Sequence, residues 1–364
     1  MRFFSLLAAL PVVLGLTAAA YLLMVYPSQA HPGRGRLVRV EIPPQASPSV
    51  IARRLGRAGL VERPRLFAAY LRLFAANQAL REGSIAMRDN LDPGAVARRL
   101  LVRGVSQVIV TVPEGDNRYQ IARRLEAQGV CDAAAFVAVT ERRSFLDKRE
   151  LSADTAEGYL FPDTYTLRRR MPAGAVAARM IQNFRRRMMP LLERHARGMA
   201  QLSEQLGFGI DDVVRLASIV EEEAAVDEER RLIAGVFLNR LRSDSFRPLH
   251  RLQADPTVSY GCVREPERAP SCADFDGRHI TRAMLRDGAN RYNSYRHGGL
   301  PPGPISNPGL ASLEAVLDAA QHDYLYFVAR GHGRHSFSAT LAAHNARVGE
   351  YLERQRAAQR DAGD

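Results

Sequence analysis

The stretch from Val40 to Leu55 recurs seventy residues later, from Val110 to Leu125, without a gap. Pro43 aligns with Pro113, and Ile51-Ala52-Arg53-Arg54-Leu55 aligns with Ile121-Ala122-Arg123-Arg124-Leu125. A shorter echo, "AVARRLLVRGV", repeats the helical half and ends at Val105. Self-similarity of this kind demands a recurring supersecondary unit. Each full copy opens with apolar alternation that stops at a proline, the pattern of a short strand leaving a turn. A helix follows, with apolar residues at i, i+1 and i+4, and Gly59, Gly104 and Gly129 fall at its C′ positions. The paired arginines face water.

This strand-then-helix unit resembles a LysM-like module, a small fold that holds glycan chains. A packing module without a ligand has the same signature. The first copy is expected to form its own unit over residues 38–108, and the second to open a larger domain over 109–352.

From Phe3 to Tyr26 no residue is charged, a run of 24 residues that includes Pro11. About 20 apolar residues span a bilayer. A cleaved signal peptide with Ser28 and Ala30 at its processing site is the rival, but its apolar core is usually only about 7–15 residues long. Length therefore favours a retained single-pass anchor over residues 1–26, followed by a linker over 27–37 and an exported body. Lys and Arg together number 51 against 39 acids, a net charge of +12, and Lys148 is the single lysine. Such a balance suits an anionic neighbour such as phospholipid headgroups or an acidic wall polymer; the bland alternative is an arginine-rich compositional habit. No RNP, zinc-finger or P-loop pattern supports nucleic acid as a partner. Cys262 and Cys272 are ten apart and form a disulfide or remain two free thiols; Cys131 is left over. No metal-ligand spacing and no cofactor motif is present, so neither a metal nor a cofactor is expected.

Three glutamates in "LASIVEEEAAVDEE" follow an apolar run. With a cap at Asp211 or Asp212 and a helix to about Val226, a step of about 100° per residue gathers Val213, Leu216, Ala217, Val220 and Ala224 on one arc. Glu221 falls within that arc, Glu222 on the Arg215 side and Glu223 on the far flank beside Ile219. An inward carboxyl must find a partner or raise its pKa, and a raised pKa equips a general acid. Glu221 thus either cements two helices through an arginine or does chemistry.

Seven motifs appear in order: "EGYLFPDTY" at Glu157, "ASIVEEEA", "GVFLNRL" at Gly235, "LQADPTVSYG" at Leu252, "YNSY" at Tyr292, "GLPPGPISNPG" at Gly299 and "YLYFVARGHGRHSF" at Tyr324. Together they resemble the endolytic murein transglycosylase family, also called YceG-like. The resemblance implies an α+β chain: an N-terminal transmembrane helix, a small LysM-like βα module and a YceG-like catalytic domain with an open groove. It implies a lyase that cuts the β-1,4 bond between MurNAc and GlcNAc inside nascent glycan strands, leaving 1,6-anhydroMurNAc ends, with Glu221 as single acid and base. It also implies a terminase of glycan elongation on the periplasmic side of the cytoplasmic membrane, working beside peptidoglycan synthases. Gln253, Asp255, Tyr292, Asn293, Tyr295 and Asn307 stand as candidate substrate contacts, each with a structural alternative as a cap or a tied-down loop. Glu157 is a further candidate, with a hydrogen-bonded structural carboxylate as its alternative. His335 and His344 read as structural. The "EEEA" stretch departs from the family's "EKET"-like pattern, and the Cys262–Cys272 insert is particular to this chain.

A rival from another class is a membrane-anchored peptidoglycan-binding scaffold that does not cut. A pyridoxal-phosphate lyase would need a Schiff-base lysine, and Lys148 in its charged patch is a poor one. The tail over residues 353–364 is expected to fray.

Overall fold

The computed structural model describes residues 17, 19–43, 46–75, 80–101 and 107–361. The chain divides into two compact units between residues 106 and 107.

The first unit runs β1 (Leu37–Ile42), α1 (Pro48–Arg57), α2 (Pro64–Phe74), β2 (Gly83–Arg88) and α3 (Pro93–Leu100). β1 and β2 pair antiparallel from Leu37 opposite Arg88 to Ile42 opposite Gly83. Each helix has a proline in its first turn, where the missing N–H costs nothing. Asp92 caps α3 by accepting the Ala95 N–H at 2.6 Å. Ile51, Ala52 and Leu55 enter the core with Phe67, Leu71 and Met87, while Arg53 and Arg54 stay outside. The expected anchor lies largely outside the described residues. Its described end is a π-helical turn, Tyr21–Val25, followed by Tyr26, whose ring is buried edge-on against Tyr70 at 5.8 Å. Among the described residues no helix is long and apolar enough to cross a membrane. The expected linker is fastened at its far end, where Arg36 N–H donates to Asp89 at 2.9 Å and Arg88 to the Gly35 carbonyl at 2.9 Å.

The second unit opens with the same order: β3 (Gln107–Thr111), α4 (Arg118–Ala127), α5 (Ala133–Glu141), a short α6 (Arg143–Asp147) and β4 (Thr164–Arg168). β3 and β4 again pair antiparallel, from Gln107 opposite Arg168 to Thr111 opposite Thr164. The repeat is therefore a β–α–α–β unit, with its closing strand beyond the aligned segment. Both first helices end alike. Gly59 and Gly129 sit at φ 70° and 67°, and the next N–H reaches back to Leu55 and Leu125 carbonyls at 2.9 Å. That is the Schellman geometry expected of C′ glycines; Gly104 lies outside the described residues.

Helices then dominate: α7 (Ala173–Arg194), α8 (Ala196–Leu206), α9 (Ile210–Glu223), α10 (Arg230–Arg242), α11 (Asp255–Arg264), α12 (Arg282–Arg286) and α13 (Leu310–Leu317). A hairpin of β5 (Tyr326–Gly331) and β6 (Arg334–Ser338) and the last helix α14 (Leu341–Asp361) complete an α+β chain. Residues 353–361, expected to fray, continue α14. α9 packs against α10, α11 and α13. It is enclosed on both flanks: Val214, Ser218 and Ile219 are as buried as Val213, Leu216, Ala217 and Val220. The helix ends three residues earlier than expected, because Ala224 turns extended at φ −95°, ψ 101°. It also begins earlier than expected, at Ile210 with Gly209 as its cap, so Asp211 and Asp212 are not caps but lie in the first turn, from which Asp212 reaches back to accept the Gly209 N–H at 2.9 Å.

Candidate active site

Glu221, Glu222 and Glu223 form the last turn of α9. Carboxylates at a helix C-terminus oppose the helix dipole, so this placement works against stability. Violations of a local rule concentrate at functional sites.

The helical step sends the three side chains in different directions. Glu221 points inward, with its side chain 6% exposed. One oxygen accepts the Gly309 N–H at 2.9 Å, at the start of α13; the other meets Arg230 Nη2 at 3.2 Å. Arg230 also contacts Asp227 and donates to the Ser312 hydroxyl at 3.1 Å. Glu114 lies over Gly309, where a Cβ would collide with it. Burial raises the Glu114 carboxyl, the Glu221 charge adds to this, and Arg230 opposes it.

Glu222 opens into a cavity of about 570 Å³. Its walls are the first turns of α4, residues of α11 through Val263 and the following segment from Pro266 to Gly277. Desolvation by the protein around its carboxyl raises Glu222 to about 7, the hydrogen bond with Ser306 opposes this, and the nearby charge of Glu221 adds. Gly115, at φ 81°, lets the backbone approach both acids: a Cβ there would stand 3.1 Å from Glu222 Oε1 and 3.8 Å from Glu221 Cγ. Glu223 turns to the opposite flank. Burial lifts it to about 7, the Asp255 charge adds, and Arg240 opposes. Arg240 is held by the Leu325 carbonyl at 2.7 Å and flanked by the Phe246 and Phe327 rings at 5.0 and 5.7 Å.

Four of the sequence-predicted substrate contacts are spent inside the protein instead. Glu157 is 1% exposed and accepts from the Arg118 N–H at 3.0 Å, Tyr260 at 2.9 Å and Asn307 at 2.7 Å. Burial raises its pKa, and the Arg118 charge beside it pulls the other way. Asn307 is also fully buried: it donates to the Asp116 carbonyl at 2.9 Å and accepts the Leu160 N–H at 2.8 Å. The two form a knot that joins "EGYLFPDTY" to "ISNPG" across 150 residues. Asn293 caps a neighbouring turn through the Met284, Leu285 and Asp287 carbonyls, between 2.8 and 3.2 Å. Tyr292 is buried edge-on against Tyr260 at 5.1 Å. None has surface left for a sugar. Gln253, half-buried at φ 53°, Tyr295 and Asp255 keep access; Tyr295 donates to Asp255 at 2.6 Å. Asp255 gathers with the Glu223 flank rather than with Glu221.

Cys262 and Cys272 are joined in a disulfide, and Cys131 is free. His335 is tied to Glu229 at 2.8 Å, and His344 stacks on Tyr326 at 5.2 Å. Sequence reasoning missed Glu114, Gly115 and Arg230. The signal for the first two lay in the repeat, where Pro113-Glu114-Gly115 replaces Pro43-Pro44-Gln45.

The YceG-like family profile matches residues 40–350. An endolytic murein transglycosylase of Bacillus subtilis (strain 168) is 27% identical over 333 residues, which cover 86% of this chain and 85% of that protein. One from Streptococcus pneumoniae serotype 2 (strain D39 / NCTC 7466) is 25% identical over 344 residues; the match takes in 87% of this chain and 59% of that longer relative. A 2.6 Å crystal structure of a yceG-like protein from Listeria monocytogenes superposes with a TM-score of 0.54 at 28% identity, covering 85% of this chain and 98% of that one. With the profile spanning nearly the whole chain and the fold shared with that structure, the protein belongs to the YceG-like family.

Proposed function

We propose that this protein is a peptidoglycan lytic endotransglycosylase. It cleaves MurNAc–GlcNAc β-1,4 bonds within nascent strands and leaves 1,6-anhydroMurNAc ends, with Glu221 as the general acid and base. The relatives named endolytic murein transglycosylases support the activity. The observation that carries the site is the run of three carboxyl groups on the last turn of α9, beside an open cavity.

In the first half of the reaction a carboxyl proton passes to the leaving glycosidic oxygen and the bond to the anomeric carbon breaks. In the second, the resulting carboxylate takes the proton of the sugar's C6 hydroxyl as that oxygen bonds to the anomeric carbon. No water is consumed, so the paired carboxylates of ordinary glycoside hydrolysis are not required. The Gly309 N–H and Arg230 already occupy both Glu221 oxygens, so the first half requires one of them to give way. A second reading follows from that geometry: Glu222, facing the cavity and raised to about 7, donates the proton, and Glu221 accepts the one from C6.

The uncharged run from Phe3 to Tyr26 supports a single-pass anchor in the cytoplasmic membrane, with the body outside and acting as terminase beside the synthases. The β–α–α–β order of the first unit supports a LysM-like glycan-holding role.

Digestion of purified glycan strands, with product ends identified by mass spectrometry, tests the reading. Wild type should generate anhydro ends, and Glu221→Gln should fold and generate none. Full activity in Glu221→Gln with loss in Glu222→Gln transfers the proton-donor role. Strand binding without new ends returns the scaffold reading.

A further inference from the structure

The cavity beside Glu222 has a built wall that the reaction does not use. α4 is the first helix of the second repeat copy, and its cavity-facing residues differ from those of the first copy: Tyr119 and Gln120 replace Ser49 and Val50, while Arg123 matches Arg53. Asn117 and Gln120 lock each other through a capping box, with the Gln120 oxygen 2.7 Å from the Asn117 N–H and the Asn117 oxygen 3.0 Å from the Gln120 N–H. Both oxygens are thereby engaged, and among the described residues neither NH₂ group has a hydrogen-bond partner. Arg123, exposed on α4, is the single cation among the described lining residues, and among the described residues it makes no hydrogen bond or ion pair; the acids of the same lining are Glu222 and Asp276. The one nearby loop acid, Asp276, is already taken up by its own turn: it accepts from the Arg278 and His279 N–H groups at 2.8 Å and from the His279 ring at 2.7 Å. Three rings complete the lining: Tyr119 on α4, Tyr260 on α11 and Phe275 on the loop clasped by the disulfide.

A neutral sugar calls for rings and amides, whereas an unmatched guanidinium calls for an anion. In a glycan strand that anion is carried by the peptide on the lactyl group of the muramyl unit. We propose that this cavity is the subsite for a muramyl unit bearing its stem peptide, with Arg123 binding a peptide carboxylate and Asn117 and Gln120 donating to amide carbonyls. The inference rests on the peptidoglycan reading of the site. It makes the protein selective for peptide-bearing over denuded strands, and the disulfide-clasped loop is then one wall of that selectivity. The volume of about 570 Å³ falls in the range of pockets for drug-sized ligands, room for the muramyl ring or part of its peptide and not for the whole unit.

The test is equilibrium binding of fluorescently labelled strands to the full chain carrying Glu221→Gln, so that no turnover intervenes. Strands with intact stem peptides are compared with strands stripped by an amidase. Arg123→Ala should weaken binding of peptide-bearing strands about tenfold, the scale of one charge-assisted hydrogen bond, and leave stripped strands, whose remaining anion is the lactyl carboxylate beside the ring, unaffected. Arg123→Lys should recover part of the loss, and Arg53→Ala should behave as the parent. Equal affinity of the parent for both strand types, or equal loss on both with Arg123→Ala, overturns the inference. Failure of the functional reading shows separately, as wild type that produces no anhydro ends from either strand, with peptide-dependent binding still measurable.

Discussion

Replacing Glu223 by Gln should stabilise the protein, and only above weakly acidic pH. The side chain lies at the wrong end of a helix dipole, enclosed between α9 and the Asp255 flank, and its carboxyl is lifted from 4.5 to about 7 by burial first and the Asp255 charge second. Below pH 4.5 the folded and unfolded chains both hold the proton, and the group contributes no difference. Between 4.5 and about 7 the unfolded chain has released the proton and the folded chain keeps it, so stability falls with each step up in pH. Above about 7 the whole cost of the buried charge is present. A shift of that size corresponds to about 3 kcal/mol at 1.36 kcal/mol per unit. Because Glu223 is only partly enclosed, solvent screening reduces this to about 1–2 kcal/mol. Gln retains the shape without the titration. The variant should match wild type at pH 4.5 and melt about 2–8 °C higher at pH 8, given about 2–4 °C per kcal/mol in a unit of this size. With no tryptophan in the chain, circular dichroism or tyrosine fluorescence follows the transition. An equal change in melting temperature at both pH values would refute the reasoning, because the effect would then come from packing and not from the proton.

Gly115→Ala places a Cβ 3.1 Å from Glu222 in a backbone at φ 81°; it should lower anhydro-end formation at least tenfold and cost about 1 kcal/mol, read by product analysis beside a melting curve. Asn307→Ala removes the donor to the buried Glu157 carboxyl and should cost about 2–3 kcal/mol in urea unfolding; a raised KM with unchanged stability would instead make Asn307 a substrate contact. Cys262→Ser opens a loop closed by a pair ten residues apart and should destabilise by about 2–3 kcal/mol, with the pairing checked by the mass shift on alkylation before and after reduction.

Much of the repeat was legible in the sequence, because its determinants are local. A helix that buries Ile, Ala and Leu at i, i+1 and i+4 and stops at a left-handed glycine needs only its neighbours, and Gly59 and Gly129 behave alike. The inward turn of Glu221 follows from the same short-range geometry, whereas the cap of α9 fell earlier than expected, at Gly209. The wheel failed where it treated α9 as one-sided, since α13 and α11 cover the flanks that a single arc leaves wet. Glu157 and Asn307 read as candidate substrate contacts because a carboxyl and an amide serve a sugar or a buried polar knot equally well.

The chain alone therefore determined that a strand-then-helix unit recurs and that one helix carries three consecutive acids, because periodicity and turn chemistry act over a few residues. Only tertiary structure decided that Glu157 and Asn307 satisfy each other in the interior, that Arg230 and the start of α13 hold Glu221, and that Glu222 looks into open space. Each of those outcomes depends on which distant backbone group or charge arrives beside a carboxyl, and neither propensity nor spacing along the chain encodes that arrival.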